Sequence, residues 1–94
     1  MSPIYFALEY DVVPNFVERR APFRDEHLAH VRAARDRGEI VMAGAVGEPP
    51  DGALLIFKVP DATLVEAFAD ADPYVQQQLV VRRRVRRWHV VVSA

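Results

Sequence analysis

Ala69-Asp70-Ala71-Asp72-Pro73-Tyr74 closes an apolar helical run and stops it abruptly. Proline disfavours helical geometry in the residue before it, so Asp72 is expected at a fixed corner, followed by a ring and a phenol. Upstream, Pro60-Asp61 opens this helix, and Leu64, Val65, Phe68 and Ala69 recur as one buried stripe. Downstream, a short helical turn is expected after Pro73, through Val75 and Leu79. A last strand follows from Val81 to Val92, with Trp88, Val90 and Val92 on one face.

The half of the chain before this corner supplies a matching set. Ile4 to Tyr10 alternates, with Ile4, Phe6, Leu8 and Tyr10 on one face and Tyr5, Ala7 and Glu9 on the other, which predicts a half-buried strand. Asp11 to Arg20 reads as a loop with a Pro14-Asn15 turn and Phe16-Val17 as an anchor. Pro22 suits the first turn of a helix. Phe23, His27, Val31 and Ala34 then recur at helical spacing, with Leu28 widening the stripe, and Gly38 ends the helix after Arg35 and Arg37. The helix is placed at about 22–37. Ile40 to Val46 is apolar enough for a strand buried on both faces, and Gly44 within it signals a bulge or the close approach of another group. Residues 47–52 form a hairpin connection into a third strand, Ala53 to Val59.

Strand, helix, strand, strand, helix, strand, joined by two right-handed crossovers, predicts an α+β fold. It is the ferredoxin-like βαββαβ sandwich, a four-stranded antiparallel sheet with both helices on one face. Residues 1–94 make one domain, with length for a single core. Two helices cover one face of the sheet, so Tyr5 and Ala7, or their opposites, leave apolar surface for a second copy to cover. A homodimer is expected.

Composition narrows the function classes. An apolar fraction of 51% describes a folded chain, and the absence of Cys removes disulfides, thiol nucleophiles and cysteine metal sites. No apolar run approaches the roughly 20 residues of a membrane span, and Met1-Ser2-Pro3 starts no export signal, so a cytoplasmic location without membrane attachment is expected. The net charge of −1 hides a split. Residues 1–78 carry seven basic and thirteen acidic side chains, and residues 79–94 carry five arginines and no acid. In a strand, Arg82, Arg84 and Arg86 point one way and Arg83 and Arg87 the other, with no aromatic interleaving before Trp88. The run therefore predicts pairing with acidic surface, within the chain or across a dimer, and no nucleic-acid partner.

His27 and Asp72 are the candidate catalytic pair. Taken singly, each has a structural reading: a satisfied core histidine, and a helix-terminating carboxylate. Taken together, they fall on two helices that share one face of the sheet. A carboxylate bonded to one imidazole nitrogen fixes the tautomer and leaves the other nitrogen to carry a proton. Arg24, three residues before His27, either holds an anionic substrate or bridges to a surface carboxylate such as Asp25 or Asp72. Arg20 has the same two readings from its loop, and Tyr74 is either a pocket hydrogen-bond donor or a packed ring. His30 lies close to His27, but three or four converging ligands are lacking, and His89 sits among valines; no metal is expected. No Gly-rich phosphate loop, nucleophile elbow or dinucleotide fingerprint occurs, and no cofactor is expected.

Arg24-x-x-His27-Leu28, Ala43-Gly44 in a strand, Ala71-Asp72-Pro73-Tyr74, and Val85-Arg86-Arg87-Trp88 in the closing strand together resemble the YCII-related domain family. The resemblance spans roughly 4–92. It implies a ferredoxin-like fold related to dimeric α+β barrels, a homodimer, and an active site whose His and Asp correspond to His27 and Asp72. Arg24, Tyr74 and Gly44 become candidate substrate contacts. The commonest version of the family carries a proline where this chain has Ala45. Relatives linked to dehydrochlorination of chlorinated aromatics, and muconolactone isomerases in the wider superfamily, imply a small cofactor-free enzyme of lyase or isomerase type. It would move a proton on a small, aromatic or lactone-like substrate. The alternative is a non-catalytic dimeric module that binds a small molecule or anion in the same pocket.

Overall fold

A computed structural model describes residues 3–94. Strand β1 (Tyr5–Val12) leads into a short helix α1 (Phe16–Arg20), a 3-10 turn (Ala21–Phe23) and helix α2 (Arg24–Asp36). The hairpin β2 (Ile40–Val46) and β3 (Gly52–Lys58) follows. Helix α3 (Ala62–Ala71), the single turn α4 (Pro73–Gln76) and β4 (Val80–Trp88) complete the chain.

The four strands form one antiparallel sheet in the order β2-β3-β1-β4, so the two first-expected neighbours of a βαββαβ chain, β1 and β3, lie at its centre. The fold is the α+β arrangement expected. β1 alternates as its pattern requires: Phe6, Leu8 and Tyr10 point into the core with Leu55 and Phe57 of β3. α2 lies over β2, and α3 lies over β1 and β4, closing that face with Ala34, Val65, Phe68 and Ala69. A second, smaller cluster of Val13, Phe16, Tyr74 and Leu79 joins α1 to α4 at one end of the sheet.

Local chemistry sets the ends of α3. Asp61, extended at φ −149°, accepts hydrogen bonds from Thr63 N at 2.8 Å and Thr63 Oγ1 at 2.7 Å, capping the helix. At the other end Asp72 is extended (φ −70°, ψ 122°), the geometry demanded before Pro73, and it becomes the N-cap of α4.

Several expectations are corrected. The segment read as a loop, Asp11 to Arg20, contains α1, and Pro22 and Phe23, read as the start of the long helix, belong to the 3-10 turn; α1 is preceded by Asn15, which is left-handed at φ 59° and makes no side-chain cap. Five residues are too few to display helical periodicity. β2 is not buried on both faces. It is an edge strand in which only Ile40 is buried, while Met42 remains 65% exposed. The register shift in β2 falls between Ile40 and Met42 rather than at Gly44, and a Cβ at Gly44 would meet nothing within 4 Å. Leu64 is exposed, outside the α3 stripe. β4 stops at Trp88 and does not reach Val92, because Trp88 already faces Tyr5, the first residue of its partner strand.

Three of the five arginines of the run are paired within the chain. Arg84 and Arg86, on the open face, both reach Glu9 of β1, and Arg83, on the helix face, reaches Asp70 at 2.6 Å and Glu66 at 3.7 Å. The Arg86 and Arg84 guanidiniums hold the Glu9 carboxyl below its ordinary range. Among the described residues no helix is long and apolar enough to cross a membrane.

Candidate functional site

The corner at Asp72 is occupied by three donors. His27 Nδ1 lies 2.8 Å from Oδ1, the Tyr74 backbone N lies 3.0 Å from the same oxygen, and Tyr10 Oη lies 2.8 Å from Oδ2. Asp72 has no exposed surface, so a carboxylate is stable there only with such partners. Because a carboxylate accepts, the His27 proton sits on Nδ1, and Nε2 is the ring nitrogen left for another molecule. The imidazole is also clamped by stacking on the Tyr74 ring, 3.8 Å between centroids and 6° from parallel. Tyr74 in turn meets Phe16 edge-on at 5.5 Å.

β1, α2 and the α3–α4 corner thus each deliver one member of this set from a different part of the chain. Tyr10 is the polar end of the inward row of β1, and burial, reinforced by the negative Asp72, holds its phenol protonated well above the ordinary range.

His27 and Tyr74 line a cavity of about 230 Å³ between α1, α2 and the β2–β3 hairpin. Phe16, Leu28, Val31 and Leu55 form apolar walls, and Ala43, Ala45 and Ala53 keep its sheet side open. Gly44 contributes backbone only. It pairs with Leu54, on the opposite face from Leu55 and the helices, so the small residues that leave room are the flanking alanines. Arg20 and Arg24 complete the lining.

The sequence profile of the YCII-related domain matches residues 4–89. The chain belongs to the YCII-related family. No curated protein matches it in sequence. Among solved structures, it is similar to 5-chloro-2-hydroxyhydroquinone dehydrochlorinase (TftG) from Burkholderia phenoliruptrix AC1100, in complex with 2,5-dihydroxybenzoquinone. The TM-score is 0.76 and the identity 20%, covering 90% of this chain and 93% of that one. PA3566 from Pseudomonas aeruginosa follows with a TM-score of 0.63 and 11% identity, covering 98% and 97% of the two chains. Rv0793 from Mycobacterium tuberculosis gives 0.58 and 13%, covering 99% of each. At these identities the likeness is one of fold.

Within this YCII-related chain, His27, Arg24, Tyr74 and Gly44 meet at one cavity, with Asp72 directly behind His27. Arg24 makes no ion pair among the described residues, so the bridging reading is set aside. His30 does not join His27. Its Nε2–H donates to the Phe68 carbonyl at 2.9 Å, and its ring stacks on Phe68 at 4.2 Å, a structural role. Among the described residues, no three His, Asp or Glu side chains converge on a common point.

Two residues were undervalued by sequence reasoning. Tyr10 was placed in the core without its hydroxyl being given an acceptor, although a buried phenol needs one. Arg20 reads as a loop residue in the sequence. It is the last residue of α1, its guanidinium lies 5.1 Å from the Phe16 ring centroid, and its Nε is enclosed without an acceptor among the described residues. A buried donor left without a partner costs about 1–3 kcal/mol. The spacing Phe16, Arg20, Arg24 was the available signal, since residues four apart share a helix face.

Proposed function

We propose that this YCII-related protein is a small enzyme of lyase or isomerase type in which His27 carries a proton to or from a small aromatic or lactone-like substrate. The observation behind this reading is the hydrogen bond from His27 Nδ1 to the buried Asp72, at the wall of a cavity that the imidazole itself lines. Asp72 orients the ring and stabilises the imidazolium formed when Nε2 takes a proton. Stacking on Tyr74 prevents the ring from turning away. Arg24, Tyr74 and the Gly44 backbone hold the substrate. An elimination asks only that a base remove a proton from one carbon while an anion leaves its neighbour. An isomerisation returns that proton to a different carbon. Neither needs a redox partner, and the dehydrochlorinase of similar fold belongs by name to the first class.

We further propose that two chains pair through the open sheet face. Met42, Leu54 and Trp88 are exposed there, beside Ala7 and Ile56.

The deciding experiment compares wild type with His27→Gln for chloride release from chlorinated hydroxyhydroquinones and for isomerisation of unsaturated lactones. Wild type is expected to turn over a member of this set, and the folded variant to be slower by about 10²–10⁴-fold. A folded His27→Gln protein with full turnover overturns the role of His27. A ligand held equally by both proteins and converted by neither makes the cavity a binding module.

A further inference from the structure

We propose that the cavity selects an anion, a single planar ring bearing a carboxylate or an ionised hydroxyl, and that Arg20 fixes the anionic group with Arg24 beside it. This rests on the cavity beside His27 being the substrate site. It adds the charge of the substrate and a recognition residue.

Three observations lead there. First, the charges at the cavity are one-sided. Its lining holds two guanidiniums and no carboxylate, and the nearest carboxylate, Asp72, is buried behind His27 with its oxygens taken up by three donors. Neither Arg20 nor Arg24 forms an ion pair among the described residues. Both guanidiniums act on the Tyr74 phenol, opposing the upward push of its burial.

Second, Arg20 is oriented and unsatisfied. Its guanidinium is positioned over the Phe16 ring, which limits the directions its fork can take, and the enclosed Nε–H has no acceptor among the described residues. Because Nε has no accessible surface, a carboxylate or phenolate in the cavity is met by the terminal nitrogens of the fork, with charge-assisted hydrogen bonds.

Third, the remainder of the cavity fits a ring. A space of about 150 Å³ suffices for benzene. The roughly 230 Å³ here, walled by Leu28, Val31 and Leu55, holds one ring with polar substituents. An anionic group at Arg20 leaves the ring within the cavity that His27 also lines.

Benzoate and its neutral isostere benzamide test this on the full chain, followed by amide NMR shifts of wild type, Arg20→Gln, Arg20→Lys and His27→Gln. Benzoate is expected to give saturable shifts at Ala43, Ala45 and Tyr74, and benzamide to bind about tenfold more weakly or worse. Arg20→Gln is expected to lose at least about tenfold in benzoate affinity, and Arg20→Lys, which keeps the charge without the fork, to fall between. His27→Gln is expected to bind benzoate within about threefold of wild type, because the anion is held by the arginines. Equal binding of benzoate and benzamide to wild type overturns the proposal. So does wild-type affinity in Arg20→Gln, or the absence of saturable shifts at the cavity. Those results leave the His27 assay standing. Conversely, a His27→Gln protein with full turnover removes the proton-transfer role and leaves anion selection intact.

Discussion

Replacing Tyr10 by Phe removes one oxygen atom and leaves the ring in place. Among the described residues that oxygen is the sole donor to Asp72 Oδ2, at 2.8 Å, while Oδ1 keeps both His27 and the Tyr74 amide. The phenol is 2% exposed and the carboxylate 0%, so water does not replace the lost bond without opening the core. A hydrogen bond to a charged, buried group is worth about 1.5–3 kcal/mol. Small proteins have urea slopes of about 1–3 kcal/mol per molar, so the unfolding midpoint at neutral pH should fall by about 1 M.

The same substitution has a second signature, of opposite sign, at high pH. Burial, and then the neighbouring Asp72, raise the Tyr10 pKa in the folded state above its ordinary value. Below about pH 10 the phenol is protonated in both states and its contribution to stability is complete. Above that the unfolded chain ionises and the folded one does not. The wild type then loses about 1.4 kcal/mol per pH unit on this account, and Tyr10→Phe loses none of it. A 2 kcal/mol difference at neutral pH should therefore shrink to nothing about one and a half pH units above the ordinary tyrosine value. Urea unfolding of both proteins from pH 7 to 11.5, expected to converge over about the last two units, is the assay. A variant within about 0.5 kcal/mol of wild type at pH 7, or a gap that stays constant through pH 11, would refute the reasoning.

Glu9→Gln should flatten the acid limb of the stability curve. The carboxyl is depressed by Arg86 and Arg84, so its contribution is present above the ordinary carboxylate pKa and lost as pH falls through the folded value. Because the pair is partly exposed, the effect should stay under about 1 kcal/mol and fade with salt; parallel acid limbs for the two proteins would contradict it. Leu54→Glu, at an exposed position on the open face, should convert a dimer to monomer in sedimentation velocity with unchanged circular dichroism; a wild type that already sediments as a monomer at about 100 µM removes the dimer proposal.

Order and spacing carried most of the fold because the alternation of Phe6, Leu8 and Tyr10 and the stripe of Val65, Phe68 and Ala69 are long enough to display their periods. What was missed lies where period is uninformative. Phe16–Arg20 has five residues and no capping side chain, so nothing local distinguishes it from a loop that holds one buried ring. The apolarity of Ile40 to Val46 marked a strand correctly but not its position. An edge strand against an unpaired face and a central strand can share the same composition, and only the sheet order separates them. The contact between His27 and Asp72 was legible as a topological consequence, two helix positions on one face of the sheet. The engagement of Tyr10 was not, because it crosses from the sheet to the helix layer over 62 residues of sequence.

Asp72 ends one helix and caps the next while accepting from Tyr10 and His27. Its structural and chemical roles cannot be separated by removing it, since any loss of activity would follow equally from a displaced corner. His27 is different. It lies on α2, reaches the corner through one nitrogen, and is half-buried, so an amide of similar length in its place keeps a donor toward Asp72 while abolishing the proton-carrying nitrogen. Tyr10 perturbs the same carboxylate through its other oxygen, and it is not itself among the cavity-lining residues, although its strand partner Ala53 is. A rate that falls with His27 and barely moves with Tyr10, although Tyr10 costs more stability, assigns the effect to proton transfer. A rate that follows stability in both variants assigns the whole cluster to folding.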